Sequence, residues 1–240
     1  MCYNVGMKEF VFVVDKQFDS VKALDFLTAK GVSDEILKKV KIGGVFVNGM
    51  VLTNANERLG TGDEVKMILP PDKPNAYITP IKAPLEVVYE DEYLMAVNKP
   101  RGMLTHSSRH NNTIALEQVV CGYFLPQPFT FRVVNRLDRD TSGIVLIAKD
   151  EYTASLLNKQ IKDGKIQKTY SAIVVGKVSS EHFIIEKPIK RLSPNSMKRT
   201  CAEDGKYAKS ECLLVKRLNE GKSIIEVTLH TGRTHQIRVH

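Results

Sequence analysis

NRLDRDTSGIVLIAKD, residues 135–150, crowds Arg136, Asp138, Arg139 and Asp140 together, turns through Thr141-Ser142-Gly143 and then becomes apolar. A short run of Ile, Val and Leu bounded by turn residues reads as a buried strand over Ser142–Ala148. Asp150 stands where a helix N-cap belongs, ahead of a helix over Glu151–Lys162 with Leu157 and Ile161 on one face and Gly164 as its stop. A charged loop at the mouth of a buried strand is a place where rigid scaffolds commonly carry functional side chains.

The pattern on either side of this stretch sets the fold class. LEVVYEDEYLMAVNKP, residues 85–100, reads as two strands joined by an acidic turn. Further strands are expected at Thr169–Val175, Ser210–Val215 and Ser223–His230. Strands follow strands with a single helix between them, so βαβ alternation is missing and the expectation is an α+β domain on a mixed, mainly antiparallel sheet.

Nearer the N-terminus, FDSVKALDFLTAKGVSDEILKKVK (18–41) reads as two short helices split at Gly31, with Val21, Leu24, Phe26 and Leu27 at helical spacing and Ser33 as an N-cap. GGVFVNGMVL then alternates about Asn48-Gly49, a hairpin signal, and LGTGDEVKMILP adds a turn and a strand. These make a compact module over residues 1–70. PPDKPNAYITPIKAP (70–84) holds five prolines and little periodicity, so residues 71–84 read as a linker and 85–240 as a second domain.

Composition narrows the function classes. No apolar run approaches the roughly 20 residues of a membrane span, and the start lacks a signal peptide's charged, apolar and small-residue regions. The expectation is a soluble, cytoplasmic protein. Cys2, Cys121, Cys201 and Cys212 are scattered, with no CxxC pair and no histidine at ligand spacing, so reduced thiols and no zinc site are expected. The net charge is +8, which favours a polyanionic partner. Up to Pro70 nine Lys/Arg balance nine Asp/Glu, so the excess lies entirely in residues 71–240.

Read as chemistry, Asp138 has three uses: nucleophile, general base or metal ligand. Metal is the weakest, because no other oxygen donors stand at a recognisable spacing. Asp138 and Asp140 on an extended chain would lie about 6 to 7 Å apart, near the geometry of an inverting glycosidase, yet the chain has no tryptophan with which to bind a sugar. The plain alternative is a solvated surface loop. LHTGRTHQIRVH (229–240) reads as a turn followed by a strand with alternating cations, or as Arg233, His235 and Arg238 gathered for phosphate or carboxylate. In QKTYSAIVVG, Lys168 and Tyr170 share one face of a strand, where most tyrosines merely pack.

RLDRDTSGIVLIAK, QKTYSAIVVGKV and HTGRTHQIRVH, in that order, resemble the RluA-type RNA pseudouridine synthases, which convert uridine in RNA to its C-glycoside isomer. LEVVYEDEYLMAVNKPRGMLTHSS is similar to that family's opening hairpin and NKPxGxxxH element, and KPIKRL with MKRT to its middle. Residues 8–70 resemble, less strongly, the S4 RNA-binding module that precedes the catalytic domain in many ribosomal members. The resemblance implies a pseudouridine synthase fold in which Asp138 is the essential aspartate, Arg238 its cationic partner and Tyr170 a platform for the target base. Arg136 would help hold the extruded nucleotide, and Lys168, Arg233 and His235 would bind substrate. Isomerisation conserves every atom of the nucleoside, so no cofactor and no metal are expected. RNA is the implied partner, ribosomal RNA ahead of tRNA, with Lys30, Lys38, Lys39 and Lys41 as an N-terminal contact patch or, equally, a solvated helix face. A catalytically silent RNA-binding factor and an N-glycosidase that cleaves without rejoining are the alternatives. Two departures stand out. Asn135 occupies a position often held by His, and it can hydrogen-bond but carries no proton. The chain also ends at His240 where relatives continue with further sheet and helix, which reads as a truncated form with an open edge, weak stability or self-association.

Overall fold

The computed structural model describes residues 6–107 and 113–240; Cys2 lies outside them. The chain divides into two compact units, one ending at Lys159 and the other spanning Gln160–His240.

The first unit holds two four-stranded sheets. β1 (Lys8–Val13), β2 (Val45–Val47), β3 (Met50–Val51) and β4 (Glu64–Leu69) form a sheet in the order β1-β4-β2-β3. Against it lie α1 (Ala23–Ala29) and α2 (Asp34–Val40), with Ser33 accepting from the Ile36 N–H as N-cap. Asn48 and Gly49 both have positive φ, 49° and 80°, as the tight hairpin between β2 and β3 requires. Alternation along β4 sends Val65, Met67 and Leu69 into a core with Phe26, Leu27 and Ile36. β1 went unrecognised in the sequence because KEFVFV carries no flanking turn signal.

The second sheet comprises β5 (Val87–Glu90), β6 (Leu94–Lys99), β7 (Arg132–Val133) and β8 (Gly143–Ala148) in the order β5-β6-β8-β7. Its central strands bury Met95, Val97, Val145 and Ile147. Two helices belong here rather than one: α3 (Leu116–Tyr123), which the strand-dominated reading missed, and α4 (Glu151–Lys162). Asp150 caps α4 as expected, its Oδ1 accepting from the Thr153 N–H at 2.7 Å.

Residues 71–84 have no strand or helix but are tied down. Arg132 donates to both carboxylate oxygens of Asp72, the Thr130 hydroxyl donates to the Lys73 carbonyl at 3.1 Å, and the Ile81 N–H reaches Gln118 O at 2.9 Å. Gly122 of α3 permits this approach, since a Cβ there would stand 2.1 Å from the Ile81 carbonyl oxygen.

Tyr152 at the start of α4 is buried in the N-terminal core, its ring 4.7 Å from that of Phe10 and its hydroxyl donating to Lys30 O at 2.9 Å. Tyr152→Phe should cost about 1 kcal/mol, the usual net worth of one buried hydrogen bond, and lower the melting midpoint by about 2 to 4 °C. An unchanged midpoint in a thermal melt would mean that the Lys30 carbonyl finds another donor.

The second unit is built on β9 (Lys168–Val175), β10 (His182–Glu186), β13 (Lys209–Arg217) and β14 (Lys222–Leu229), ordered β10-β13-β14-β9, with a separate two-stranded ribbon of β11 (Ile189–Arg191) and β12 (Arg199–Cys201). All strand pairs among the described residues are antiparallel. The chain is therefore α+β with mainly antiparallel sheets, as the order of elements predicts.

The closing segment corrects the sequence reading. Gln236–Val239 form a short helix, α5, rather than a strand with alternating cations. His235 turns the chain with a left-handed φ of 60°, and the buried Gln236 fixes the turn. Its Oε1 accepts from the Thr231 hydroxyl and the Arg233 N–H, and its Nε2 donates to Lys209 O and Ser210 Oγ. A polar side chain buried with four hydrogen bonds overrides the strand-like alternation of TGRTHQIRVH.

Candidate active site

Asp138 lies on the loop between β7 and β8, half-buried, with Arg136 exposed two residues before it. The loop backbone is fixed at several points, each by a side chain matched to a peptide group. Asn135 pairs with β8 in both senses: its Nδ2 donates to Ile144 O at 3.0 Å, and its Oδ1 accepts from Leu146 N at 2.8 Å. Thr105 clips the other side, its hydroxyl donating to Leu137 O at 3.0 Å and accepting from Leu137 N at 3.4 Å. The Thr141 N–H closes the turn on Asp138 O at 3.1 Å.

Lys99, at the end of β6, is fully buried, and its ammonium donates to three carbonyls: Pro100 at 3.0 Å, Met103 at 2.7 Å and Arg139 at 3.2 Å. Burial holds its pKa below the ordinary lysine value, while the charges of Asp140 and Asp138 pull the other way. Lys99 is thus a cation that both ties down the Asp138 loop and feels its carboxylates. Sequence reasoning gave it no role. The usable signal was a lysine closing an apolar strand directly before Pro100, where a surface cation would sit in the solvent-facing phase of the alternation.

Beside Thr105, His106 Nδ1 lies 2.8 Å from Glu117 Oε2, and Ser107 donates to Glu117 Oε1 through its N–H and its hydroxyl. Glu117 is buried on α3. Burial pushes its pKa up, but the bonds from Ser107 and then the bond and charge of His106 outweigh this and hold it below the usual range.

The second unit carries the remaining residues singled out in the sequence. Burial alternates along β9, so Lys168 and Tyr170 occupy its half-buried face, paired with Leu229 and Val227 of β14. Burial lowers the Lys168 pKa, and its Nζ stands 3.1 Å from where a Cβ on Gly232 would lie, so glycine leaves room for the ammonium. Arg233 donates from Nε to Tyr207 O at 2.7 Å. Arg238 on α5 lines a hollow of about 430 Å³ with Ala172, Phe183, Cys212, Val227 and His240. Lys168, Arg233, His235 and Arg238 thus gather where β9 and β14 meet the closing segment, whereas Arg136 and Asp138 belong to the first unit. Of the N-terminal lysines, Lys30 and Lys39 are engaged, with Nζ 3.4 Å from Asp15 Oδ2 and 2.6 Å from Glu151 Oε1 respectively.

Residues 93–240 match the family model described as RNA pseudouridylate synthase. The chain belongs to that family, whose members are isomerases. Among relatives, the RNA pseudouridine synthase YjbO of Bacillus subtilis strain 168, itself uncharacterised, is 31% identical over 214 residues, covering 88% of this chain and 75% of its own. Ribosomal large subunit pseudouridine synthase D of Zymomonas mobilis is 34% identical over 219 residues, 87% of this chain and 68% of its own. A solved structure, human RNA Pseudouridylate Synthase Domain Containing 1, matches with a TM-score of 0.55 and 24% identity over 65% of this chain and 64% of that one, a likeness that shows the fold. The chain spans between 64% and 75% of the length of these proteins. Among the described residues no helix is long and apolar enough to cross a membrane, and no group of three His, Cys, Asp or Glu could hold a metal.

Proposed function

We propose that this chain isomerises uridine to pseudouridine in RNA, with large-subunit ribosomal RNA as the target and Asp138 as the nucleophile. The observation that carries the reading is the Asp138 loop in a chain of this family: a half-buried carboxylate whose backbone is clamped by Asn135, Thr105 and Lys99. Such fixing is what a nucleophile needs, because a group held in its attacking position has already lost the entropy that binding would otherwise have to remove.

In this reading the Asp138 carboxylate adds to the ribose or the base, the N-glycosidic bond breaks, the uracil turns, C5 joins C1′ as the bond to Asp138 breaks, and the proton lost from C5 is balanced by one gained at N1. Tyr170 stacks on the base, Arg238 stabilises the carboxylate charge, and Arg136, Lys168, Arg233 and His235 hold the nucleotide. Residues 8–70, with two helices before a hairpin, serve as the S4-like RNA-binding module. The Zymomonas mobilis relative, a ribosomal large subunit pseudouridine synthase, supports the ribosomal target.

Tritium release from RNA carrying 5-tritiated uridine tests the reaction. Release from a large-subunit rRNA transcript and none from tRNA is expected; release from tRNA alone would reassign the target. Free uracil among the products would replace isomerisation by glycosidic cleavage.

A further inference from the structure

The β11–β12 ribbon carries a charge arrangement that the fold does not use. Residues 187–209 hold seven Lys/Arg against Glu203 and Asp204, a net +5 out of the chain's +8. Lys190 takes Asp204, with Nζ 2.7 Å from Oδ1. Across the ladder Arg191 stands directly opposite Arg199. Side chains so paired share a face with Cβ atoms about 4.5 to 5.5 Å apart, and like charges there repel.

Neither guanidinium has a carboxylate partner among the described residues. Arg191 donates to Pro194 O at 3.0 Å, and Arg199 Nε is shielded from solvent with no acceptor at all. A permanently charged donor left unsatisfied is a cost to the free protein. The hairpin also exposes Leu192 and Met197 and lacks acidic residues between Arg191 and Arg199.

The ribbon is anchored at the end of the second unit that carries Arg233 and Arg238. Ile189 and Lys206 exchange backbone hydrogen bonds at 2.9 Å, His240 Nε2 lies 3.0 Å from Lys187 O, and Arg233 holds Tyr207 O. A paired cation site that repels itself, on a ribbon fastened beside candidate substrate-binding residues, is a socket for an external anion.

We propose that Arg191 and Arg199 together clamp a phosphate of the RNA backbone, making the ribbon a sequence-independent grip on the substrate strand. This rests on the reading of the chain as an RNA-modifying enzyme. Guanidinium forks suit phosphate geometry, and such contacts position a nucleic acid without choosing its sequence.

The test is filter binding of the full chain to an unmodified large-subunit rRNA transcript across a salt series, beside thermal melts. Arg191→Gln and Arg199→Gln should each weaken binding by about 3- to 10-fold at low salt, and the double variant should flatten the log-affinity against log-salt slope by about one. Arg199→Lys, which keeps the charge, should retain most of the slope. The melting midpoint of Arg191→Gln should equal or exceed that of the parent, since the repulsion is gone. An unchanged slope in the double variant overturns the clamp, and so does a binding loss that tracks a falling midpoint, because the arginines would then be structural. If the parent binds RNA with the expected variant effects but releases no tritium, the synthase reading fails and the clamp stands; a parent that binds no RNA sinks both.

Discussion

Asp138→Asn should abolish tritium release from 5-tritiated uridine, by at least about a thousandfold, while RNA binding changes by less than about threefold. The substitution keeps the size of the side chain and removes its negative charge, so the loss would be one of chemistry. The loop is held by groups other than the Asp138 carboxylate: Asn135 to Ile144 and Leu146, Thr105 to Leu137, and Lys99 to Arg139 O. The fold around residue 138 should therefore survive, and the melting midpoint should move little. Asn cannot act as the anionic nucleophile that the proposed pathway requires at its first step. Single-turnover measurements with saturating enzyme separate the two contributions, because binding is then complete in both proteins. Release that persists at a tenth of the parent rate would remove Asp138 from the nucleophile's role and leave Tyr170 or Glu117 to be tried.

Much of this arrangement is legible in the residues, and the misses nearest the candidate site share one cause. β8 and α4 follow from local signals, an apolar run after Gly143 and the Asp150 cap. The Asn48-Gly49 hairpin and the split at Gly31 are equally local, since each depends on a backbone conformation that few residues adopt. What escaped depends on partners far along the chain. α5 exists because Gln236 is buried against Lys209 and Ser210, 27 and 26 residues away. The Pro-rich stretch at 71–84 reads as a linker until Asp72 meets Arg132, 60 residues on. The same holds for the candidate site: Asp138 and its loop are visible as a charge cluster, whereas the clamps that fix the loop, Lys99 and Thr105, come from the end of β6 and the segment after it, some 30 to 40 residues earlier.

Lys99→Met should destabilise the protein by about 3 to 5 kcal/mol, the range for removing one member of a buried charged network, and so lower the melting midpoint by about 10 °C. Methionine matches the chain length of lysine, so packing is nearly kept and the loss lies in the polar groups. The carbonyls of Pro100 and Met103 would lose their ammonium donor in a site closed to water, and that of Arg139 would keep only the Gly102 N–H at 2.8 Å. The charge of Lys99 is itself costly where it lies, which is why burial lowers its pKa. Between that lowered value and the ordinary lysine value of about 10.4, the unfolded chain binds more protons than the folded one, so stability contributed through Lys99 rises with pH across that window. Below the folded value both states are protonated and the penalty is constant. Urea midpoints measured from neutral pH up to about pH 10 should thus show a rising contribution in the parent that the methionine variant lacks. The variant should also lose activity at temperatures well below its midpoint, because the Arg139 carbonyl, next to Asp138, would then be held by the Gly102 N–H alone while the rest of the fold stays intact. Equal urea midpoints in the two proteins would show that the Pro100 and Met103 carbonyls find other donors, and a stable but slow variant would separate the positioning of Asp138 from the stability of the sheet.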